Sequence, residues 1–289
     1  MPDVSYPSLP ERLPVPVYDD HTHIDPFSAA GWFDDGDGEP LDWREQLDRA
    51  EAAGVRGVVQ VGTDVESSRW SAETAATEPR MLAAVAIHPN DAARMTDHEL
   101  DDALAVIDDL AGRPRVRAVG ETGLDFYRTA EDGRAAQLRS FEAHVAIAKA
   151  HGLALQIHDR DAHDDVVATL LRVGAPERTV FHCFSGGPQL ARTAAEHGWY
   201  CSFAGTVTFK SAARLREALA LVPLDRILVE TDAPWLAPTP VRGRPNAPYL
   251  VPHTLRFVAQ QLGLDVAELG AQVAANTEAV YGSWATDLP

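Results

Sequence analysis

The chain has 289 residues, of which 45% are hydrophobic, and its formal net charge is −18 at pH 7, with a pI of about 4.9. This length and apolar content are sufficient for a large buried core, which excludes a disordered or disulfide-dependent miniature protein. The acidic charge argues against tight nonspecific binding to duplex DNA, which depends on Lys and Arg. It does not exclude a substrate with a phosphate group, because bound divalent cations reverse the local charge.

The sequence also limits where the protein can act. No apolar run approaches the ~20 residues that span a bilayer, and the first residues lack the basic and apolar regions of a signal peptide. The two cysteines, Cys183 and Cys201, fall in predicted core strands and do not suggest a disulfide framework. We therefore expect a cytoplasmic protein without a membrane anchor.

Apolar segments of strand length alternate with helical patterns along the chain. The predicted strands are 15–23, 57–62, 81–88, 116–120, 153–158, 179–184, 199–203 and 227–231. A helix is predicted over 42–54, and another over 134–151, each ended by a glycine. Helical spacing of apolar residues returns after Gly263.

Nearly continuous apolar strands separated by helices are typical of a parallel sheet that is buried on both faces. Eight such strand–helix units, at roughly 30 residues each, predict an α/β fold of the (β/α)8 TIM-barrel type. We expect one domain over residues 1–289, with an N-terminal extension at 1–14, the barrel at about 15–282, and extra C-terminal helices.

Six possible metal ligands lie near the carboxyl ends of these predicted strands. His21 and His23 stand at i and i+2 on one strand, so their side chains point to the same face. A single histidine is more often a packed or surface residue than a ligand, so the prediction depends on all six coinciding at the face where TIM barrels carry their active sites. The six residues are His21, His23, Glu121, His158, His182 and Asp232.

The donor set indicates the kind of metal. Four imidazoles and two carboxylates suit Zn, Mn, Ni, Co or Fe, and with added waters they suit Mg. Six ligands exceed the three that the protein gives to one tetrahedral catalytic zinc, so two divalent cations with a bridging group are favoured. Glu121 is the expected bridge, because neither Lys149, in a helix, nor Lys210, past the seventh strand, is placed to act as a carboxylated lysine.

Five motifs, in this order, resemble those of the TatD family of metal-dependent hydrolases. They are DDHTH at 19–23, GETGLD at 120–125, IHDR at 157–160, HCFSG at 182–186 and ETDAP at 230–234. The resemblance covers residues 17–282 or so, and it implies a TIM-barrel hydrolase of the amidohydrolase superfamily with DNase activity, including 3′–5′ exonuclease action on single-stranded DNA. Two positions depart from the family pattern: Asp20 stands where a small residue is common, and Asn90 where a second histidine often follows His–Pro.

The resemblance also implies roles for individual residues. His21, His23, Glu121 and Asp232 would hold one cation, and Glu121, His158 and His182 the second. Asp232 would contact the attacking water, which makes Asp232 and Glu121 the expected catalytic residues. His88 matches a family position near the substrate phosphate.

Three further predictions concern substrate contacts. Arg160 is either a phosphate clamp or the ion-pair partner of Asp159 or Asp161. Ser185 either donates a hydrogen bond to the substrate or begins the following glycine turn. Aromatic residues of the rim loops either stack on bases or pack their own loops, and these are Trp32, Phe33 and Trp235.

Three functions remain open at this point. The first is phosphodiester hydrolysis by a water that two metals activate, acting on single-stranded DNA or on DNA ends. The second is hydrolysis of a small ester, lactone or amide by the same water, since fold alone does not decide between them. Arg160, Arg242 and Arg244 favour phosphate, and the presence of all six ligands argues against the third function, a degenerate binding module. We expect a monomer or a weak oligomer.

Overall fold

Eight strands and ten α-helices are present in the described part of the chain, residues 5–28 and 40–285 of a computed structural model. The strands are β1 Val17–Thr22, β2 Val55–Val61, β3 Met81–Val85, β4 Val116–Asp125, β5 Ala154–Arg160, β6 Thr179–Phe181, β7 Tyr200–Phe203 and β8 Ile227–Val229. The helices are α1 Trp43–Ala53, α2 Val65–Ala75, α3 Pro89–Ala92, α4 Asp97–Ala111, α5 Arg134–His151, α6 His163–Val173, α7 Pro188–Glu196, α8 Ala213–Leu219, α9 Val251–Leu262 and α10 Val266–Tyr281.

The eight strands form one sheet in the order β1 to β8, and at least one helix follows each strand. The neighbouring strands pair in parallel, with Ala118 opposite Ala154 and Cys201 opposite Ile227 as examples. Their residues are almost all buried, as expected of a parallel sheet covered on both faces. This topology confirms the predicted (β/α)8 TIM-barrel fold and its extra C-terminal helices, α9 and α10.

Two compact units are distinguished within the chain. The first contains the described residues up to 60 together with 186–279, and it holds β1, most of β2, β7 and β8. The second contains residues 61–185 and the described residues from 280, and it holds β3 to β6. The expectation of a single domain stays a prediction.

Helix ends follow the predicted signals. The Asp42 side chain accepts a hydrogen bond from the Arg44 N–H at the start of α1, and Gly54 ends the helix with a left-handed φ of 90°. Helix α5 likewise ends at Gly152, with a φ of 62°. None of the helices in the described residues has both the length and the apolar character that crossing a bilayer requires.

The strand ends differ from the sequence prediction where the candidate ligands lie. Strand β4 continues to Asp125, so Glu121 is inside the strand, because Gly123 pairs closely with His158 of β5. A Cβ on Gly123, whose φ is 140°, would lie 2.1 Å from the His158 carbonyl oxygen, so only glycine fits this approach.

Strand β6 ends earlier than predicted, at Phe181, and this corrects the prediction for one cysteine. Cys183 lies in the turn after β6, is partly exposed and has a φ of 40°, so it is not a core-strand residue. Cys201 lies buried in β7 as predicted, and neither cysteine forms a disulfide.

A buried histidine supports the turn that carries His88. The His144 Nε2 accepts the Ile87 N–H at 3.0 Å, and its Nδ1 lies 2.7 Å from the Ser140 carbonyl oxygen. The ring is therefore neutral, because a proton on Nε2 would face the Ile87 N–H. Burial lowers the pKa of His144 from 6.5 to about 4.

Acid is therefore expected to destabilise the protein through His144. Below pH 6.5 this histidine binds a proton in the unfolded chain, whereas in the folded chain it stays neutral until the pH is about 4. Stability that is present above pH 6.5 is therefore lost as the pH falls to about 4. The difference in free energy of unfolding between wild type and His144→Gln should shrink by about 3 kcal/mol over this range. Urea unfolding at each pH measures it, and parallel profiles for the two proteins would contradict a neutral His144.

Candidate metal centre

Three ligand-type side chains converge in the first unit, and we call His21, His23 and Asp232 the His21 cluster. The two histidine Nε2 atoms lie 3.1 Å apart. The Asp232 Oδ1 lies 3.5 Å from Nε2 of His23 and 3.9 Å from Nε2 of His21. Two histidines at i and i+2 thus face the same point, as their spacing predicts.

Buried hydrogen bonds bring Asp232 to the two histidines. The Asp232 N–H donates to the His21 carbonyl oxygen at 3.0 Å, and the His23 N–H donates to the Ala233 carbonyl oxygen at 2.8 Å. The fully buried Asp19 accepts both the Thr231 N–H, at 2.8 Å, and the Thr231 hydroxyl, at 2.5 Å. Asp232 itself has a left-handed φ of 56°, which is uncommon for a residue other than glycine. Such conformations cluster at functional sites.

Four more side chains converge in the second unit, and we call His88, Glu121, His158 and His182 the Glu121 cluster. The Glu121 Oε1 lies 2.5 Å from Nδ1 of His158 and 2.8 Å from Nε2 of His182. Nε2 of His88 lies 3.5 Å from the same oxygen. One carboxylate oxygen is therefore surrounded by nitrogen atoms from three histidines.

The charges of this cluster support one another. Burial would by itself raise the pKa of Glu121, but its electrostatic interactions with His182 and His88 and the bond from His158 hold it well below its usual range. For His158 burial would lower the pKa, but the hydrogen bonds to Asp125 and Glu121 outweigh burial and raise the pKa. Glu121 is thus ionised, which is the form that binds a cation.

Both clusters fit a divalent cation by their chemistry, and the His21 cluster also fits one by its spacing. Imidazole nitrogen and carboxylate oxygen are ligands for zinc, manganese, cobalt and nickel. Ligands about 2.1 Å from a tetrahedral metal stand about 3.4 Å from one another. The separations within the His21 cluster run from 3.1 to 3.9 Å, close to that value.

Asp125 is a member of the site that the sequence reasoning missed. Its Oδ2 lies 3.2 Å from Nε2 of His158, on the ring edge opposite Glu121. Its Oδ1 accepts the N–H groups of Tyr127 and Arg128, and its Oδ2 also accepts the amide of Asn90 at 3.1 Å. A carboxylate behind a histidine ligand fixes the tautomer and the orientation of the ring. The sequence does carry a signal for this residue: Glu121, Gly123 and Asp125 stand two residues apart along one strand, so they share a face.

Replacing Asp125 with alanine is expected to weaken cation binding by about tenfold to a hundredfold, because His158 loses the group that orients it. Calorimetric titration of metal-free protein with Mn²⁺ or Zn²⁺ measures this. Asp109→Ala, which removes an exposed carboxylate that pairs with Arg113 on α4, is the charge-matched control. Equal affinities for the Asp125 and Asp109 variants would contradict the orienting role.

The three predicted substrate contacts have the following surroundings. His88 accepts the Asn90 N–H on Nδ1, and its ring lies 4.7 Å from the His158 ring, so it is part of the Glu121 cluster. The Ser185 hydroxyl donates to the Asp159 carbonyl oxygen at 2.9 Å. The Arg160 guanidinium lies over the Tyr127 ring, whereas the Asp159 carboxylate bonds to His163. Contact of His88, Arg160 and Ser185 with a substrate stays a prediction.

The other arginines and aromatic residues that the sequence singled out have different surroundings from one another. Arg244 donates to the Ser5 and Tyr6 carbonyl oxygens, so it anchors the N-terminal segment, which weakens its use as an argument for phosphate. Arg242 lies over the Phe209 ring. Trp235 is 41% exposed, and its ring lies 5.4 Å from that of His23. Trp32 and Phe33 lie outside the described residues, as does most of their loop.

The family model and two of the relatives that match this chain carry the same family name. The family described as TatD related DNase matches residues 18–282. An uncharacterized metal-dependent hydrolase named TatD from Mycobacterium tuberculosis is 41% identical over 270 residues, covering 92% of this chain and 98% of the relative. The 3′-5′ ssDNA/RNA exonuclease TatD of Citrobacter rodentium is 34% identical over 247 residues, covering 83% of this chain and 92% of the relative.

Comparison with solved structures agrees. The TatD homologue YjjV from Escherichia coli K12 superposes with a TM-score of 0.81 at 26% identity, covering 92% of this chain and 98% of that one. A TatD family hydrolase from Entamoeba histolytica gives a TM-score of 0.78 at 16% identity over 94% of this chain, and at that identity it supports the fold alone.

Proposed function

The chain belongs to the TatD family of metal-dependent hydrolases, and we propose that it is a nuclease that hydrolyses phosphodiester bonds of single-stranded nucleic acid from the 3′ end. The observation that carries the proposal is the presence of two clusters of imidazole and carboxylate groups, each of which could hold a cation. The hydrolase class follows from the family. The nucleic-acid substrate is suggested by relatives named 3′-5′ ssDNA/RNA exonuclease.

The proposed site takes two divalent cations, drawn from Mg, Mn, Zn, Co and Ni. The His21 cluster would hold one and the Glu121 cluster the other, and a bridging role for Glu121 stays a prediction. Divalent cations in such sites supply Lewis-acid stabilisation of the phosphoryl oxygens and acidify water at neutral pH.

The side chains have distinct tasks in this proposal. Glu121, ionised and buried, gives the Glu121 cluster the negative charge that a cation requires. Asp232 has a side chain 14% exposed, so it faces both the two histidines of the His21 cluster and solvent, and it accepts the proton that the attacking water loses. His88 is the histidine of the Glu121 cluster whose nearest nitrogen, Nε2, lies farthest from the Glu121 oxygen, at 3.5 Å, and it donates to the substrate phosphate, whose charge increases in the transition state.

Single strands suit this chain better than duplexes. A net charge of −18 opposes the nonspecific phosphate contacts on which duplex binding depends. Exposed aromatic rings, in contrast, bind unstacked bases without needing positive charge, and Trp235 lies beside His23. Cytoplasmic location and a monomeric or weakly oligomeric state stay predictions.

The experiment that tests the proposal is a substrate panel. Metal-free protein receives Mg, Mn, Co, Ni or Zn and is assayed on end-labelled single-stranded and double-stranded DNA, bis-p-nitrophenyl phosphate, a lactone and an N-acyl amide. We expect single-stranded DNA and the phosphodiester to be cleaved, and chelation to stop the reaction. Turnover of the lactone or the amide without cleavage of any phosphodiester would overturn the proposal in favour of carbonyl chemistry.

A further inference from the structure

Tyr127 is the most exposed of the large hydrophobic residues in the described chain, at 64%. The guanidinium of Arg160 lies 4.2 Å from the centre of its ring. Exposing a large apolar ring to water is unfavourable. The Tyr127 ring is not packed into the fold, and its planar neighbour is the guanidinium of Arg160. We call Tyr127 and Arg160 the rim pair.

The rim pair is fixed to the Glu121 cluster by the backbone. The Tyr127 N–H donates to Oδ1 of Asp125 at 3.0 Å, and the other carboxylate oxygen of Asp125 contacts His158. The Phe126 N–H donates to the Arg160 carbonyl oxygen at 2.9 Å, which extends the pairing of β4 with β5 beyond Asp125. The backbone of Tyr127 is thus held by the same carboxylate that contacts the candidate metal ligand His158.

The distance from the cluster suits a neighbouring nucleotide. Arg160 is two residues beyond His158 on β5, so its side chain starts roughly 7 Å farther along the same face of the strand. The adjacent Phe126 ring is covered by Arg134, with the guanidinium 4.1 Å from the ring centre, and is only partly exposed. The exposure of the Tyr127 ring is therefore not shared by the aromatic ring next to it.

We propose that the rim pair is a nucleobase platform, on which the base of the nucleotide adjoining the scissile phosphate stacks. Aromatic rings and guanidinium planes are the surfaces on which proteins hold unstacked bases. Such stacking tolerates every base, so it suits an enzyme that removes nucleotides successively. This inference rests on the proposed function and adds a substrate subsite to it.

The test measures binding rather than turnover. A fluorescein-labelled single-stranded DNA 12-mer is titrated with metal-free protein in EDTA at low salt, and its anisotropy is compared with that of a strand of equal length whose 3′-terminal residues lack bases. Tyr127→Ala should weaken binding of the normal strand by at least about fivefold, the lower limit for losing one stacked aromatic. Tyr127→Phe keeps the ring and should bind like wild type, and Arg160→Ala should weaken binding as well.

Two controls make the result specific. The strand without bases should bind wild type and Tyr127→Ala alike, because nothing remains to stack. Arg113→Ala removes another exposed arginine, which lies before β4, at the opposite end of that strand from the rim pair, and it should not change binding. If Tyr127→Ala weakens both strands equally, if it weakens neither, or if wild type binds neither strand, the platform is wrong.

The proposed function has a separate readout. Hydrolysis of bis-p-nitrophenyl phosphate by the metal-loaded wild type tests the phosphodiesterase and needs no base contact. Base-dependent binding through Tyr127 without any phosphodiester cleavage would remove the proposed function and keep the platform. Cleavage without base-dependent binding would do the reverse.

Discussion

Replacing Glu121 with alanine is expected to abolish metal-dependent hydrolysis, with a loss of at least about a thousandfold in turnover. One oxygen of Glu121 is the common contact of His158 and His182, so its removal leaves the cluster without a negative charge. Loss of even one group that stabilises the transition state typically costs a hundredfold to a thousandfold. Steady-state rates on single-stranded DNA with saturating Mg or Mn measure the effect.

Glu121→Gln is the matched variant, because it keeps the size of the side chain and removes its charge. Both variants should stay folded, because Glu121 is not part of the hydrophobic core, and thermal unfolding checks this. Turnover by Glu121→Ala close to that of wild type would show that Glu121 does not serve a catalytic cation.

Replacing His21 with alanine is expected to remove one cation of two and to lower turnover by at least about a hundredfold. His21 gives the His21 cluster one of its two imidazoles, and its Nε2 lies 3.1 Å from that of His23. The Glu121 cluster has four members in the other unit and should keep its cation. Plasma mass spectrometry after equilibrium dialysis counts the metals per chain.

His197→Ala, which removes a histidine at the end of α7, is the control for the loss of any histidine. It should bind as many cations as wild type. If the His21 variant and the His197 variant carry the same amount of metal, the His21 cluster is not a cation site.

The positions of the candidate ligands follow from local rules. His21 and His23 converge because side chains of an extended strand alternate, which holds whatever the rest of the fold does. His182 follows β6 directly and Asp232 follows β8 after two residues, and the parallel order places the carboxyl ends of strands at one edge of the sheet. The amphipathic pattern likewise predicts both the first and the last residue of helix α5.

Features that depend on contacts between distant segments were not predictable. The length of β4 depends on Gly123 meeting the His158 backbone, and nothing near Gly123 in the sequence reports that approach. Asn90 was noted only as a departure from the family pattern, yet its amide holds Asp125, 35 residues away. Cys183 was misplaced because β6 ends at Phe181, where the chain turns and brings His182 to Glu121.

The product of the reaction tests the central claim most directly. Metal-loaded protein hydrolyses a single-stranded oligonucleotide in ¹⁸O-labelled water, and mass spectrometry identifies what is released first. We predict 5′-mononucleotides released from the 3′ end, each with one ¹⁸O on phosphorus, and none when EDTA is present. Intact oligonucleotide with every metal, or products whose phosphate carries no label, would contradict attack of water on a phosphodiester at this site.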